Sequence, residues 1–204
     1  MANPYLAVIG NICAGKTTCV QQFSACHKDW YGLPEILDES QRNALRGADH
    51  YYLYASFFTN YYISCHVRSR SIHGPMIQES CLETSSLFPR VYYENNCFSK
   101  DKYQTLEWKY AKYLRDLPRP DFYIYLYAPL DVLLARAENR KEPARSVSKM
   151  LIPGMQSRLE EWVEKHVNPE RLLRIHTQDV NIGQINQRLD DLRAQLKSLR
   201  MALP

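Results

Sequence analysis

The chain of 204 residues has no apolar run of membrane-spanning length. Its N-terminus lacks a basic stretch followed by a hydrophobic block, so a soluble, cytoplasmic protein with no membrane partner is expected. The six cysteines (Cys13, Cys19, Cys26, Cys65, Cys81 and Cys97) form no CxxC pair. That excludes the usual spaced zinc motifs and a disulfide framework, and leaves reduced cysteines used for packing. No internal repeat, low-complexity tract or linker divides the sequence, which predicts one domain over residues 1–204. A net charge of +4 and a pI near 8.7 come without a basic run or an RNA-binding signature. Nucleic acid is therefore not an expected partner, and a site for a small polyanion collects Lys and Arg just as well. Hydrophobic content of 45% and charged content of 24% provide for an ordinary globular core.

What the sequence does contain is a run from residue 10 to 18: Gly10, Asn11, Ile12, Cys13, Ala14, Gly15, Lys16, Thr17 and Thr18. It follows the apolar segment Tyr5-Leu6-Ala7-Val8-Ile9 and opens into a helical stretch. Strand, glycine loop and helix in that order make a phosphate cradle. Successive backbone N–H groups point inward, and the helix N-terminus adds partial positive charge. Lys16 reaches the outer phosphates, and the Thr17 hydroxyl can ligate the Mg²⁺ that travels with them. An ordinary strand-to-helix turn is the alternative, but placement directly after an N-terminal strand favours a nucleoside triphosphate such as ATP.

Strand-like and helical stretches alternate along the rest of the chain, which predicts βαβ units and a parallel sheet. Strands are expected at 5–9, around 33–36, at 75–79, 122–127 and 171–176, and helices at 16–26, 48–70, 101–115, 129–139, 148–165 and 182–200. Ile185, Leu189, Leu192, Leu196 and Leu199 give the last helix one apolar stripe.

In an open parallel sheet ligands gather at the carboxyl ends of the strands. The second strand is expected to end at Pro34-Glu35, aiming Glu35 at the phosphates. A carboxylate there accepts the proton of a hydroxyl attacking a γ-phosphate; otherwise Glu35 is a surface residue at a strand end. The third strand is expected to end at Glu79-Ser80, and either Glu79 or Glu83 would hold Mg²⁺ with Thr17, directly or through water. Beyond Ala128-Pro129 come Arg136 and Arg140, four apart and so on one face of a continuous helix, then Lys141 and Arg145. These cations either close over a triphosphate as a lid or form a solvated basic helix end. Pro143 predicts a break among them. Tyr51, Tyr52, Tyr54, Phe57, Phe58, Tyr61 and Tyr62 crowd one long helix. Most belong to a core, and two or three would form a slot in which a nucleobase stacks.

Together these stretches resemble the deoxyribonucleoside kinase family, which includes the deoxycytidine, deoxyguanosine, insect multisubstrate and mitochondrial thymidine kinases. Gly10-Asn11-Ile12 with Gly15-Lys16-Thr17-Thr18 is similar to the family's first motif, and Pro34-Glu35 sits where its catalytic glutamate lies. Tyr103 to Trp108, Asp121 to Leu126 with Ala128-Pro129 and Arg136, and Glu161-Trp162 resemble later stretches, so the similarity runs from about residue 4 to 180. The resemblance implies a P-loop NTPase-type α/β fold, a five-stranded parallel sheet flanked by helices, and a homodimer formed through a helix pair. It also implies ATP- and Mg²⁺-dependent phosphorylation of the 5′-hydroxyl of a deoxyribonucleoside, as in nucleotide salvage. Glu35, Arg136 and Arg140 would be catalytic, and Arg145 would join the loop on the donor.

The departures are specific. Cys13-Ala14 stands where the family loop has Gly-Ser, placing side chains where backbone freedom is favoured. The family's acidic-Arg-Ser motif is Glu79-Ser80-Cys81 here, without its arginine, and Arg90 is the candidate substitute. The family's base-reading Gln aligns with Ala55; Tyr54 and Phe58 flank it, and Asn60 is the nearest amide. These drifts fit a divergent or viral member. They also keep two alternatives open: a nucleoside monophosphate kinase clamping a second phosphate with Arg42, Arg46, Arg68 or Arg70, and a nucleotide-binding protein impaired in catalysis.

Overall fold

Tyr5–Gly10 forms β1 and is buried at every position, as an apolar run between two layers must be. The computed structural model describes residues 3–35, 50–69, 71–117, 119–140 and 144–201. After β1 come α1 (Lys16–Cys26) and β2 (Tyr31–Leu33). The long helix α2 (His50–Ser69) leads to β3 (Met76–Glu79) and two short helices, α3 (Leu82–Ser85) and α4 (Leu87–Glu94). Then follow α5 (Lys100–Asp116), β4 (Phe122–Tyr127), α6 (Leu130–Glu138), α7 (Ala144–His166), β5 (Leu172–His176) and α8 (Ile182–Met201).

The five strands form one parallel sheet in the order β2-β3-β1-β4-β5. Side chains alternate between its faces with a period of two. Leu6, Val8, Ile77, Ile124, Leu126 and Ile175 pack with Val20 and Phe23 of α1 and with Ile185, Leu189 and Leu192 of α8. The last-helix stripe thus lies against the sheet. Ala7, Ile9, Tyr123 and Tyr125 face the other way, against Val163 of α7 and Val167 just past its end. A further cluster on Ala55, Val91, Tyr92, Leu106, Leu151, Met155 and Leu159 ties α2, α4, α5 and α7 together.

Four elements differ from the sequence expectation. The second strand is Tyr31–Leu33, earlier than 33–36, because Pro34 has no N–H to extend the ladder and Glu35 lies past its end. Leu82–Ser85 and Leu87–Glu94 are helical outside the helix spans expected from the sequence, where the Ser- and Pro-containing run conceals their pattern. The seventh helix starts at Ala144, not 148, and runs through Pro153, whose ring sits on the exposed side. Among the described residues no helix is long and apolar enough to cross a membrane.

Candidate active site

The loop from Gly10 to Thr18 turns where β1 meets α1. Gly10 has φ 154°, and a Cβ there would lie 2.3 Å from the Leu126 carbonyl oxygen of β4, so only glycine lets the strands approach. Gly15, at φ 96°, caps α1 in the left-handed region. Cys13 also has positive φ, 65°, so a side chain does occupy a position that favours glycine. Asn11 fixes the loop. Its Oδ1 accepts from Ile12 N at 2.7 Å, and its Nδ2 donates to Ile152 O at 2.9 Å and Gln156 Oε1 at 3.0 Å on α7. Ala14 N donates to Asn11 O at 3.3 Å and Ala14 is buried, while Thr18 is exposed on the first turn of α1. Lys16 is buried, with Nζ 3.0 Å from the Asn11 carbonyl oxygen, which lays the ammonium over the loop.

Glu79, closing β3, connects this loop to the second strand. Its Oε1 accepts from Thr17 Oγ1 at 2.8 Å, and its Oε2 accepts from the backbone N–H of Glu35 at 2.8 Å. Burial raises the Glu79 carboxyl above the ordinary range; Lys16 and the two hydrogen bonds oppose that, and the Glu35 charge adds to it. Glu83 occupies different surroundings. It is buried beside Cys81, Tyr123 and Arg119, and burial raises its carboxyl too. Of the two candidate acids, Glu79 is the one in contact with Thr17.

Glu35 is held from α2. Tyr62 donates its phenol O–H to Glu35 Oε2, and Tyr61 donates to the Pro34 carbonyl at 2.9 Å. Burial pushes the Tyr62 phenol well above its ordinary pKa, and the charges of Glu35 and Glu79 add to that. Tyr62 therefore remains a donor. Tyr54, Phe58 and Tyr62 stack along α2 at centroid spacings of 6.4 Å, forming an aromatic face that ends at Glu35. Ala55 is instead buried among Val91, Tyr92, Leu151 and Met155, and Asn60 is exposed.

The arginines separate. Helix α6 ends at Glu138, so Arg136 and Arg140 do not share a continuous helical face. Arg136 lies across the loop rim, donating to Cys13 O at 3.3 Å, Thr177 Oγ1 at 3.0 Å and Thr177 O at 2.6 Å. Arg140 donates to Ser148 Oγ at 3.2 Å on α7. Arg145 stands on the first turn of α7. Lys141 and Pro143, with the expected break, lie outside the described residues, as do Arg42, Arg46 and Arg70. Arg90 is not brought to the site: it is an exposed residue of α4, i,i+4 to Glu94, with Nε 3.1 Å from Glu94 Oε1. Arg68 ends α2 beside Lys28, Ser71 and His73, near the amino ends of β2 and β3.

Sequence reasoning missed two contacts. Thr177 directly follows β5, so inspecting the carboxyl end of the fifth strand as well would have found it. Tyr62 was one aromatic among seven, and no spacing distinguishes it.

The metal expectation can be tested against the donor set. Thr17 and Glu79 together offer a hydroxyl and a carboxylate, the hard oxygen ligands Mg²⁺ takes in small number. Among the described residues no group of three or more His, Cys, Asp or Glu forms a metal cluster.

Solved structures share the fold. Deoxyadenosine kinase from M. mycoides with bound dATP superposes with a TM-score of 0.72 at 16% identity, covering 92% of this chain and 98% of that one. The same enzyme with products dCMP and a flexible dCDP gives 0.67 at 15% identity, covering 94% and 99%. With bound dCTP it gives 0.66 at 16% identity, covering 93% and 99%. No curated protein matches the sequence. A sequence model of the deoxynucleoside kinase family matches residues 6–199. The chain therefore belongs to the deoxynucleoside kinase family, and it is an enzyme that phosphorylates a deoxynucleoside with an ATP-type donor.

Proposed function

We propose that the acceptor is the 5′-hydroxyl of a deoxyribonucleoside, that ATP is the donor, and that Glu35 is the general base. The observation carrying this reading is the Thr17–Glu79–Glu35 connection, which sets a second carboxylate beside the phosphate loop. Glu35 takes the hydroxyl proton as the 5′-oxygen bonds to the γ-phosphorus and the bond to the β-phosphate oxygen breaks, giving the monophosphate and ADP. Loop amides and Lys16 hold the donor phosphates. Arg136 fixes the loop rim from which those amides point, and Arg140 with Arg145 stands on the lid side. Thr17 and Glu79 would hold Mg²⁺, which when bound supplies positive charge against the phosphates. The aromatic face of Tyr54 and Phe58 supports a stacked base as acceptor.

We further propose that residues 1–204 act as one domain and pair as a homodimer. Strands from both halves of the chain share one sheet, and Trp108 on α5, 62% exposed, offers apolar surface for a helix-pair interface. Transfer from γ-labelled ATP to each of the four deoxyribonucleosides and their monophosphates tests the acceptor. Labelled deoxyribonucleoside monophosphate is the expected product. Transfer to monophosphates alone would make the enzyme a monophosphate kinase, and ATP binding without transfer would make it a nucleotide-binding protein.

A further inference from the structure

A residue without a role in the transfer described above stands at the reacting end of the site. Tyr62 is 3% exposed, and its phenol O–H points at Glu35 Oε2. The Ser80 side chain lies beside the same phenol and opposes the rise in its pKa. Ser80 follows Glu79 directly, in the left-handed region at φ 58°, with its N–H on Val8 O at 2.8 Å. Tyr62 thus carries a contact from α2 to the carboxylate beyond β2. Tyr62 is itself held on its helix: His66 Nδ1 lies 3.2 Å from the Tyr62 carbonyl oxygen, and Tyr61 is tied to Pro34 O. Glu79 accepts from Thr17 and from the Glu35 backbone N–H and makes no hydrogen bond to the Glu35 carboxylate. Among the described residues, the side-chain hydrogen bond to that carboxylate comes from a neutral phenol and not from a cation.

We propose that Tyr62 is the positioning residue of this kinase: it takes up Glu35 Oε2, fixes the carboxylate rotamer and leaves Oε1 directed to the acceptor hydroxyl. This rests on Glu35 acting as the base. A free carboxylate rotates among several orientations, and a base displaced by an ångström loses most of its effect. Burial and the two neighbouring carboxylates keep the phenol protonated, so the contact persists across the working pH range.

Tyr62→Phe removes the hydroxyl and keeps the ring. It should lower kcat about 10- to 100-fold, the usual cost of losing a hydrogen bond to a charged group, with KM for ATP and Tm near wild type. Tyr62→Met, which also lacks the hydroxyl, should lower kcat in the same direction and covers the case in which Tyr62→Phe folds poorly. In the Glu35→Gln background, measured by single-turnover transfer of labelled phosphate, Tyr62→Phe should change the rate by less than about twofold, because no carboxylate remains to orient. Wild-type kcat in Tyr62→Phe or Tyr62→Met, or losses that multiply in the double variant, would overturn the proposal. An inactive Glu35→Gln beside a fully active Tyr62→Phe removes Tyr62 alone. A fully active Glu35→Gln removes Glu35 as base, and Tyr62's role with it.

Discussion

The backbone N–H of Glu35 donates to Glu79 Oε2 at 2.8 Å, so the end of the second strand hangs from the residue that closes the third. Because Glu79 Oε1 also accepts from Thr17, one buried carboxylate sets the distance between the phosphate loop and Glu35. Glu79→Ala should therefore damage both sides. It should raise KM for ATP and lower kcat by about 10²-fold or more, while Glu83→Gln, which faces Tyr123 and Arg119, leaves KM for ATP unchanged. Steady-state kinetics of the two variants check this.

Lys16 should matter through its charge. Its Nζ lies over the loop and its field opposes the raised pKa of Glu79. Lys16→Met should lower kcat/KM for ATP by about 10²–10³-fold, the range found when one preorganised donor to a reacting phosphoryl or acyl group is lost. Titration with a fluorescent ATP analogue would separate lost binding from lost turnover.

The two loop glycines should differ in stability. At Gly10 an added Cβ meets backbone at 2.3 Å, whereas at Gly15 nothing lies within 4 Å and only the φ of 96° opposes a side chain. Gly15→Ala should cost about 1–2 kcal/mol of backbone strain. Gly10→Ala should cost about 3 kcal/mol or more, because two strands must separate. Urea denaturation of both variants gives the comparison.

His66 should set an acid limit to stability. It is buried on α2 with its ring nitrogens facing the Tyr62 carbonyl and the Tyr5 hydroxyl, and burial lowers its pKa from 6.5 to about 4. Folded pKa lies below unfolded pKa, so the unfolded chain takes up the proton first as pH falls. The contribution is complete above pH 6.5 and is lost between there and pH 4. At pH 5 the loss is about 2 kcal/mol relative to neutral pH. Denaturation at pH 7.5 and 5.0 should show wild type losing about that much more than His66→Gln.

The fold was legible where periodicity was strong. The buried run at Tyr5–Gly10, the alternating faces of Phe122–Tyr127 and the stripe on Ile182–Met201 all point to one sheet with helices on both sides. The loop was legible because phosphate binding needs a fixed order of glycine, lysine and hydroxyl. Contacts set by tertiary packing were not. Nothing in Arg136-x-x-x-Arg140 tells that α6 ends at Glu138, so the first arginine binds the loop and Thr177 while the second binds Ser148. Residue type alone offers Arg90 for the missing motif arginine, but its helix turns it to Glu94. The contact of Tyr62 with Glu35 joins residues 27 apart and depends on how α2 packs over the second strand.

The most direct test is single-turnover transfer of labelled γ-phosphate to a deoxyribonucleoside in wild type and Glu35→Gln, with ATP binding measured alongside. If Glu35 is the base beside the loop, the variant binds ATP as wild type does and transfers about 10²–10⁴-fold more slowly. Transfer at the wild-type rate would contradict the account.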